Sequence, residues 1–348
     1  MGKKAKLAIL AATTVAIFGW NGTKVNTQLP PEQPETTSEV EYSSESQWRQ
    51  PRLVTTLKKG HTTAVDALVF SPDGEILVSG GSYNDPKLVF WSITNGKKIE
   101  NVRAQRTAVN TVVISPNGQS LVSAGDDAGI NLWDWKTGKF QATFVEHDSN
   151  ILQLAITPDS EILVSSALDG IKIWGLNPKR PIYTLTGLGN PSYAVAIHPD
   201  GQILASGDNQ GKVTFWNLRT GTKMSEFMPH NESITGVLFT PDGKTLITGS
   251  KDRTIKIWDV ATGLLLHTLQ GHTGMIRAIA INPDGETLAS ASNDGARLWN
   301  VRNGRLVARL YGQTDWVQSL AFSQDGTMLA TGSFDGTIVL WNKTELNN

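Results

Sequence analysis

Seven tryptophans recur through this sequence at almost constant intervals. Each lies 41 or 42 residues after the previous one, at Trp91, Trp133, Trp174, Trp216, Trp258, Trp299 and Trp341. A four-residue segment with turn chemistry precedes each of them, for example SPDG at 71–74 and TPDG at 240–243. A fixed period of this length is typical of repeat architectures, in which each unit packs on its neighbours. We therefore expect one array of seven units rather than several independent domains.

Each unit has the pattern of four short β-strands. In the first unit, AVDALVF at 64–70 and EILVSG at 75–80 are rich in β-branched and aliphatic residues and are bounded by turn residues. In the fifth unit, TIKIW at 254–258 follows a further turn, and LLLHTL at 264–269 ends the unit. Four short strands in about 42 residues, repeated, are typical of the blades of a β-propeller.

Two units resemble a known family over their whole length. GHTGMIRAIAINPDGETLASASNDGARLWN at 271–300 and HNESITGVLFTPDGKTLITGSKDRTIKIWD at 230–259 are similar to repeats of the WD-repeat (WD-40-type) β-propeller family. The resemblance extends over about residues 53 to 348. Only Trp133 and Trp258 are followed by the Asp that gives the family its name. The other positions of the repeat, rather than this dipeptide, therefore align the seven units.

The two ends of the repeat region complement each other. The seventh unit stops soon after Trp341 and leaves no room for a fourth strand, whereas RLVTTLKKGH at 52–61 resembles a fourth strand with no unit before it. Pairing the two would remove exposed strand edges. We therefore predict an all-β, closed seven-bladed β-propeller of four-stranded antiparallel blades over residues 52–348, in which a strand at 52–59 completes the last blade.

The first 51 residues have a different character. Three lysines precede an apolar run from Leu7 to Trp20, which is the layout of an export signal. The run is shorter than the roughly 20 residues of a membrane span, although uncharged residues follow it. We expect residues 1–24 to be a signal peptide or an uncleaved membrane anchor, so that the protein is exported or membrane-anchored. A soluble amphipathic extension on a cytoplasmic protein is the alternative. Residues 25–51, rich in Pro, Glu, Ser and Thr, should be a disordered linker.

Composition argues against several classes of function. The net charge of −1 provides no positive excess for nucleic-acid binding, and the absence of Cys excludes disulfides, thiolate metal sites and Cys nucleophiles. The sequence also contains no P-loop, H-E-x-x-H or G-x-G-x-x-G motif, and its six His residues lack metal-ligand spacing. We expect no cofactor, no metal and no nucleic-acid partner, and a monomeric propeller.

A histidine, a hydroxyl residue, an aspartate and the repeat tryptophan occur together in four units. The sets are His61, Ser79, Asp85 and Trp91; His147, Ser165, Asp169 and Trp174; His230, Thr248, Asp252 and Trp258; and His272, Ser290, Asp294 and Trp299. These residue types suit a hydrolase, but an active site needs one such set, and no G-x-S-x-G elbow accompanies any of them. In the WD-repeat family the matching residues form a structural hydrogen-bonded relay, so the resemblance implies no catalytic residue and no enzyme.

The resemblance also implies where such a protein binds its partners. WD-repeat propellers generally bind proteins or peptides on the face that carries the loops before the first strand and between the second and third strands. Large side chains at the matching positions predict one patch of Trp316, Phe334, Arg277 and Met275, with Gln318 beside Trp316, and a second patch of Tyr193, Leu152 and Leu168. Trp316 or Tyr193 could instead fold back on its own blade.

These observations predict a non-catalytic protein–protein interaction scaffold that uses its loop face and is exported or membrane-tethered. The alternative is a propeller enzyme or small-ligand binder that uses the central channel, with Asp66, Asn110 and Arg277 as the nearby polar residues. A purely structural, self-associating protein is a third class.

Overall fold

A computed structural model describes residues 47–185 and 190–344, which form a seven-bladed β-propeller. In this part of the chain, 28 strands build seven four-stranded antiparallel sheets. Blades 1 to 6 take four consecutive strands each, and in blade 7 the outermost strand is the first of the described strands. The predicted fold class, with its number of blades and strands per blade, is confirmed.

The strand bounds follow the repeat. Blades 1 to 3 contain β2 (Val65–Phe70), β3 (Ile76–Gly81), β4 (Lys87–Ser92) and β5 (Lys98–Arg103); β6 (Val109–Ile114), β7 (Leu121–Gly125), β8 (Gly129–Asp134) and β9 (Lys139–Val145); and β10 (Ile151–Ile156), β11 (Ile162–Ala167), β12 (Gly170–Leu176) and β13 (Lys179–Thr184). Blades 4 to 6 contain β14 (Ser192–Ile197), β15 (Ile203–Asp208), β16 (Val213–Asn217) and β17 (Thr222–Phe227); β18 (Ile234–Phe239), β19 (Thr245–Ser250), β20 (Ile255–Asp259) and β21 (Leu265–Leu269); and β22 (Ile276–Ile281), β23 (Thr287–Ser292), β24 (Gly295–Asn300) and β25 (Leu306–Leu310). Blade 7 contains β26 (Val317–Phe322), β27 (Met328–Ser333), β28 (Ile338–Asn342) and, on its outer edge, β1 (Arg52–Leu57).

The ring closes both at its axis and at its rim. The first strand of each blade contacts the first strand of the next blade, and β2 contacts β26 across the closure. At the rim, β1 pairs antiparallel with β28, from Arg52 opposite Asn342 to Leu57 opposite Ile338. This strand is shorter than the predicted 52–59, because the chain turns at Lys59, whose φ is 62°.

The four-residue segments before each tryptophan form tight turns on one side of the ring, which we call the turn face. Ser71 shows how they are held: its hydroxyl donates to Asp73 at 2.5 Å and accepts from the backbone N–H of Ile76 at 3.0 Å. The fourth residue has positive φ, 73° at Gly74, which glycine adopts without steric cost. The opposite side, the loop face, carries the loops before the first strand and between the second and third strands of each blade.

Apolar side chains fill every interface between blades, and a residue from outside the repeats completes one interface. In blades 1 to 6 the residue two positions after the repeat tryptophan is apolar and packs toward the preceding blade: Ile93, Trp135, Leu176, Leu218, Val260 and Val301. Blade 7 has Lys343 at this position. Trp48, only 1% exposed, packs there instead, in the cluster that contains Trp341 and edge-on to Phe322 at 5.5 Å.

Both ends of the described part of the chain contribute to this corner of blade 7. The backbone N–H of Thr344 donates to the carbonyl of Gln47 at 3.2 Å, and the Thr344 hydroxyl donates to the carbonyl of Gln50. The segment 47–51, placed in the disordered linker by its composition, is therefore held on the propeller by the buried Trp48 ring. The predicted leader at 1–24 and the linker up to residue 46 lie outside the described residues. Within 47–185 and 190–344, no helix is long and apolar enough to cross a membrane.

Replacing Trp48 by Ala should lower the free energy of unfolding by roughly 3–5 kcal/mol, because it removes a buried aromatic ring from the interface between blades 6 and 7. Urea unfolding of the full chain measures this loss. Gln47→Ala is the matched control, since the Gln47 side chain is exposed and only its backbone carbonyl accepts a hydrogen bond. Equal stability of the two variants would contradict the assignment of Trp48 to the core.

Candidate protein-interaction face

A β-bulge at the start of each inner strand directs one side chain into the mouth of the central channel. In blade 1, Val65 pairs with Gly81 and Ala67 with Gly80, so Asp66 between them has no partner in the register. Bulges re-aim the side chain of the extra residue. The seven bulge residues line the channel mouth: Asp66, Asn110, Leu152, Tyr193, Thr235, Arg277 and Gln318.

Three of the predicted partner-binding residues lie together at the edge of this mouth. Trp316 and Phe334 are 41% and 49% exposed, with ring centroids 5.4 Å apart. The guanidinium carbon of Arg277 lies 5.4 Å from the Trp316 ring centroid, within the range of a cation–π interaction. Arg277 Nε also donates to Asn293 at 2.9 Å, which fixes the guanidinium above the ring. We call Trp316, Phe334 and Arg277 the aromatic patch.

The other predicted partner-binding residues are more dispersed. Gln318 lies in the channel mouth, and Met275 is partly buried in the loop before β22. Across the channel, Tyr193 and Leu152 also line the mouth, and Leu168 is 43% exposed on the loop between β11 and β12.

Lys251, which belongs to neither predicted patch, contacts the second one. Its ammonium group lies 5.7 Å from the centroid of the Tyr193 ring. Lys251 immediately precedes Asp252 in the loop between β19 and β20. This position in the repeat is the sequence feature that places Lys251 on the loop face.

In blades 1, 3, 5 and 6 a buried hydrogen-bonded relay fixes the loops to the strands. In blade 1, His61 Nε2 lies 2.7 Å from the Ser79 hydroxyl, and His61 Nδ1 lies 3.2 Å from Asp85. The Trp91 indole N–H donates to the same hydroxyl at 2.8 Å. The corresponding contacts join His147, Ser165, Asp169 and Trp174; His230, Thr248, Asp252 and Trp258; and His272, Ser290, Asp294 and Trp299.

The relay hydroxyls are placed for structure rather than for nucleophilic attack. Ser79, Ser165, Thr248 and Ser290 are all 0% exposed, so a substrate carbonyl has no path to them. Burial acts to raise the pKa of Asp85, but hydrogen bonds, led by that with His61, lower it to about 2. The relay thus joins an ionised carboxylate, an imidazole and a hydroxyl, and the second oxygen of the Asp85 carboxylate lies 3.1 Å from the ammonium group of Lys87.

The remaining blades keep only part of the relay. The tryptophan still donates to the strand hydroxyl, as Trp133 does to Ser123 at 2.9 Å and Trp341 does to Thr331 at 3.1 Å. In blade 2, glutamine replaces the histidine, and Gln105 Nε2 donates to the carbonyl of Ser123 at 3.1 Å. In blade 4 the corresponding residue is Leu188, which lies outside the described residues.

Replacing His272 by Gln, the residue that blade 2 uses, should make stability less dependent on pH between about 6.5 and 4. Burial is the main cause that lowers the pKa of folded His272 to about 4, against 6.5 in the unfolded chain. In this window the unfolded state binds more protons, so the wild type loses stability as pH falls. Urea midpoints at pH 7, 5.5 and 4.5 measure the slope. Equal slopes in His272→Gln and the wild type would contradict this account.

Comparison with known proteins agrees with the blade count. The family model described as WD domain, G-beta repeat matches residues 51–92, 96–134, 138–174, 179–217, 221–259, 263–300 and 304–342. Apoptotic protease-activating factor 1 of Rattus norvegicus is 27% identical over 164 residues, which are 47% of this chain and 13% of that protein. Anaphase-promoting complex subunit cdh1 of Dictyostelium discoideum is 26% identical over 179 residues, 50% of this chain and 18% of that protein.

Target of rapamycin complex subunit wat1 of Schizosaccharomyces pombe is 30% identical over 95 residues, 27% of this chain and 30% of that protein. The chain thus matches only a minor part of the length of each of these relatives. Each of the seven matched segments contains the outer strand of one blade and the three inner strands of the next, and together the segments extend over most of the sequence. The extent of this match and the seven-bladed fold show that this chain belongs to the WD domain, G-beta repeat family.

Proposed function

We propose that this protein is a non-catalytic interaction scaffold that binds a protein or peptide partner on its loop face, through the aromatic patch. The observation that carries the proposal is the contact of exposed Trp316 and Phe334 with Arg277 at the edge of the channel mouth. Tryptophan and arginine are enriched in the residues that dominate binding energy at protein interfaces. Exposed aromatic rings of this size also lose unfavourable contact with water when a partner covers them.

The neighbouring contacts support a preformed binding surface. The backbone N–H of Phe334 donates to the carbonyl of Trp316 at 2.8 Å, which ties the two loops of blade 7 together. Arg277 is held by Asn293, and both residues belong to blade 6, next to blade 7. A surface that is ordered before binding loses less conformational entropy when the partner docks. Two relatives are described as subunits of larger complexes, which agrees with a scaffold role.

We also propose that the scaffold is exported or anchored to a membrane. The lysine-rich and apolar composition of residues 1–24 supports export or membrane anchoring. The described chain enters the propeller on the turn face, where Arg52 pairs with Asn342. A tether attached there leaves the loop face pointing away from the membrane and accessible to a partner.

Use of the central channel by a small ligand is the second candidate function. It rests on Asp66, whose pKa is raised mainly by burial in the channel mouth, close to Asn110 and Arg277. A poorly solvated carboxyl at such a place could bind a polar ligand. In that case Asp66→Asn would abolish ligand binding and the aromatic patch would be dispensable.

Replacing Trp316 and Phe334 together by Ala should abolish capture of the partners that crosslink to the wild-type chain in its native host. Removing both rings eliminates the apolar anchor but no core packing, because both side chains are exposed. Quantitative crosslinking and mass spectrometry, with circular dichroism to check folding, measure the effect.

The matched control is Met224→Ala with Leu266→Ala, two apolar residues on the outer strands of blades 4 and 5 that are 45% and 47% exposed. This variant should capture the same partners as the wild type. Unchanged capture by the Trp316 and Phe334 variant would show that the binding site lies elsewhere on the protein.

The location is tested by fractionating cells that express the full chain with a C-terminal tag and measuring its intact mass. We expect either a full-length chain in the membrane fraction or a shortened chain outside the cytoplasm. An uncut, soluble chain in the cytoplasm would reject the leader and leave the scaffold proposal in place.

A further inference from the structure

A cleft opens on the outer side of the propeller where blade 6 meets blade 7. It has a volume of about 360 Å³ and is lined by residues of β25 and β1 and of the segments next to them. Two large side chains of its lining are accessible, since Leu53 is 42% exposed and Tyr311 is 79% exposed. Two exposed arginines, Arg49 and Arg309, also line it. We call this cleft the rim cleft.

Arg309 departs from the repeat. In the other six blades the corresponding residue of the outer strand, opposite the same position of the third strand, is neutral or acidic: Asn101, Thr143, Thr184, Glu226, Thr268 and Thr56. A cation at this position is therefore not required by the fold, and we looked for a local reason for it.

The positive charge of the rim cleft is not balanced by the described part of the chain. Arg309 lies opposite Arg297 in the register, and like charges at such positions repel each other. Asp294 forms an ion pair with Arg297 at 2.9 Å. Arg49 and Arg309 form no ion pair within residues 47–185 and 190–344, and none of the described residues that line the cleft is acidic. The cleft thus combines two available guanidinium groups with accessible apolar surface.

The chain itself carries a segment of matching chemistry directly before this cleft. Residues 25–46 contain five glutamates and neither lysine nor arginine. Three of these glutamates lie within 39–45, where Glu39 and Glu41 alternate with Val40 and Tyr42. In an extended chain, successive side chains point to opposite sides, so this stretch can present carboxylates on one side and apolar groups on the other.

The segment 39–45 is also close enough to reach the cleft. The described chain begins at Gln47, two residues before Arg49, and its backbone carbonyl is held by Thr344 on blade 7. An extended chain advances about 3.3 Å per residue, so residues 39–46 can cover roughly 26 Å, which exceeds the length of a six-residue strand. A short connection also gives an effective concentration on the order of millimolar, at which even weak contacts form.

We propose that residues 39–45 bind in the rim cleft of the same chain, with their carboxylates next to Arg49 and Arg309. The apolar side chains of the segment then cover the exposed parts of Leu53 and Tyr311, and opposite charges fix its position. Residues 25–38 are left as the free part of the linker. This contact involves neither the aromatic patch nor residues 1–24, so it does not depend on the proposed function.

The test measures the position of the segment by pulsed electron paramagnetic resonance of the full chain. The chain has no cysteine, so two introduced cysteines can carry nitroxide labels at unique sites. Ser38→Cys places one label beside the segment, and Asn101→Cys places the other on the exposed outer strand of blade 1. We expect a narrow distribution of distances between the two labels. It should widen at least about twofold when Arg49→Gln and Arg309→Gln are combined, because the carboxylates lose their partners.

Arg180→Gln with Arg302→Gln is the matched control. Both arginines are exposed and lie outside the lining of the rim cleft, so this variant should keep the narrow distribution. An exchange of charges gives a second test that does not depend on folding of one variant. Replacing the three glutamates of 39–45 by Lys should widen the distribution, and adding Arg49→Glu and Arg309→Glu should narrow it again.

A wide distribution in the wild type, or an unchanged distribution after Arg49→Gln and Arg309→Gln, would overturn the proposal. Mixing the labelled chain with an excess of unlabelled chain should leave the narrow distribution unchanged. Its loss on mixing would identify a second copy of the chain as the occupant and would also overturn the proposal. The Trp316 and Phe334 variant should keep the narrow distribution, which separates this contact from partner binding on the loop face.

Discussion

Completion of blade 7 and of its interfaces with blades 6 and 1 is the constraint on which the rest of this structure depends. Each blade buries apolar side chains against its neighbours, so an open ring would expose two apolar faces and two strand edges. The chain meets this constraint by non-covalent means. β1 supplies the outer strand of blade 7, and Trp48 supplies the apolar side chain that Lys343 does not. The loop face and its aromatic patch are held in place only because the ring is complete.

The loops that form the aromatic patch are fixed to their blades in two different ways. Four blades fix their loops through a histidine, whereas the loop that carries Trp316 begins with Gln313, whose side chain donates to the carbonyl of Thr331 at 2.8 Å. Blade 7 therefore holds its exposed loop with a neutral side-chain amide instead of the full relay. Arg277, on the adjacent blade 6, belongs to a unit with the complete relay. The aromatic patch thus combines a cation from a blade that has the full relay with aromatic rings from a blade whose loop is held by Gln313.

Much of the fold could be predicted from the sequence, because the repeat aligns every strand and turn with six equivalents. Trp48 could not be predicted in this way, since it precedes the repeats in a polar segment and replaces a residue that is almost 300 positions away in the chain. The positions of Trp316, Phe334 and Arg277 on the loop face were predictable, but their mutual contact depends on the bulge that directs Arg277 toward the channel mouth.

The position of β1 has a mechanical consequence. The strand runs from the turn face toward the loop face, and the residues that precede it leave from the turn-face end. A force applied through those residues and away from the ring acts roughly along β1. It loads the hydrogen bonds with β28 in shear, so that they resist together rather than opening one after another. Trp48 lies between the point of loading and the strand, and its ring has to leave the blade 7 interface before β1 can slide.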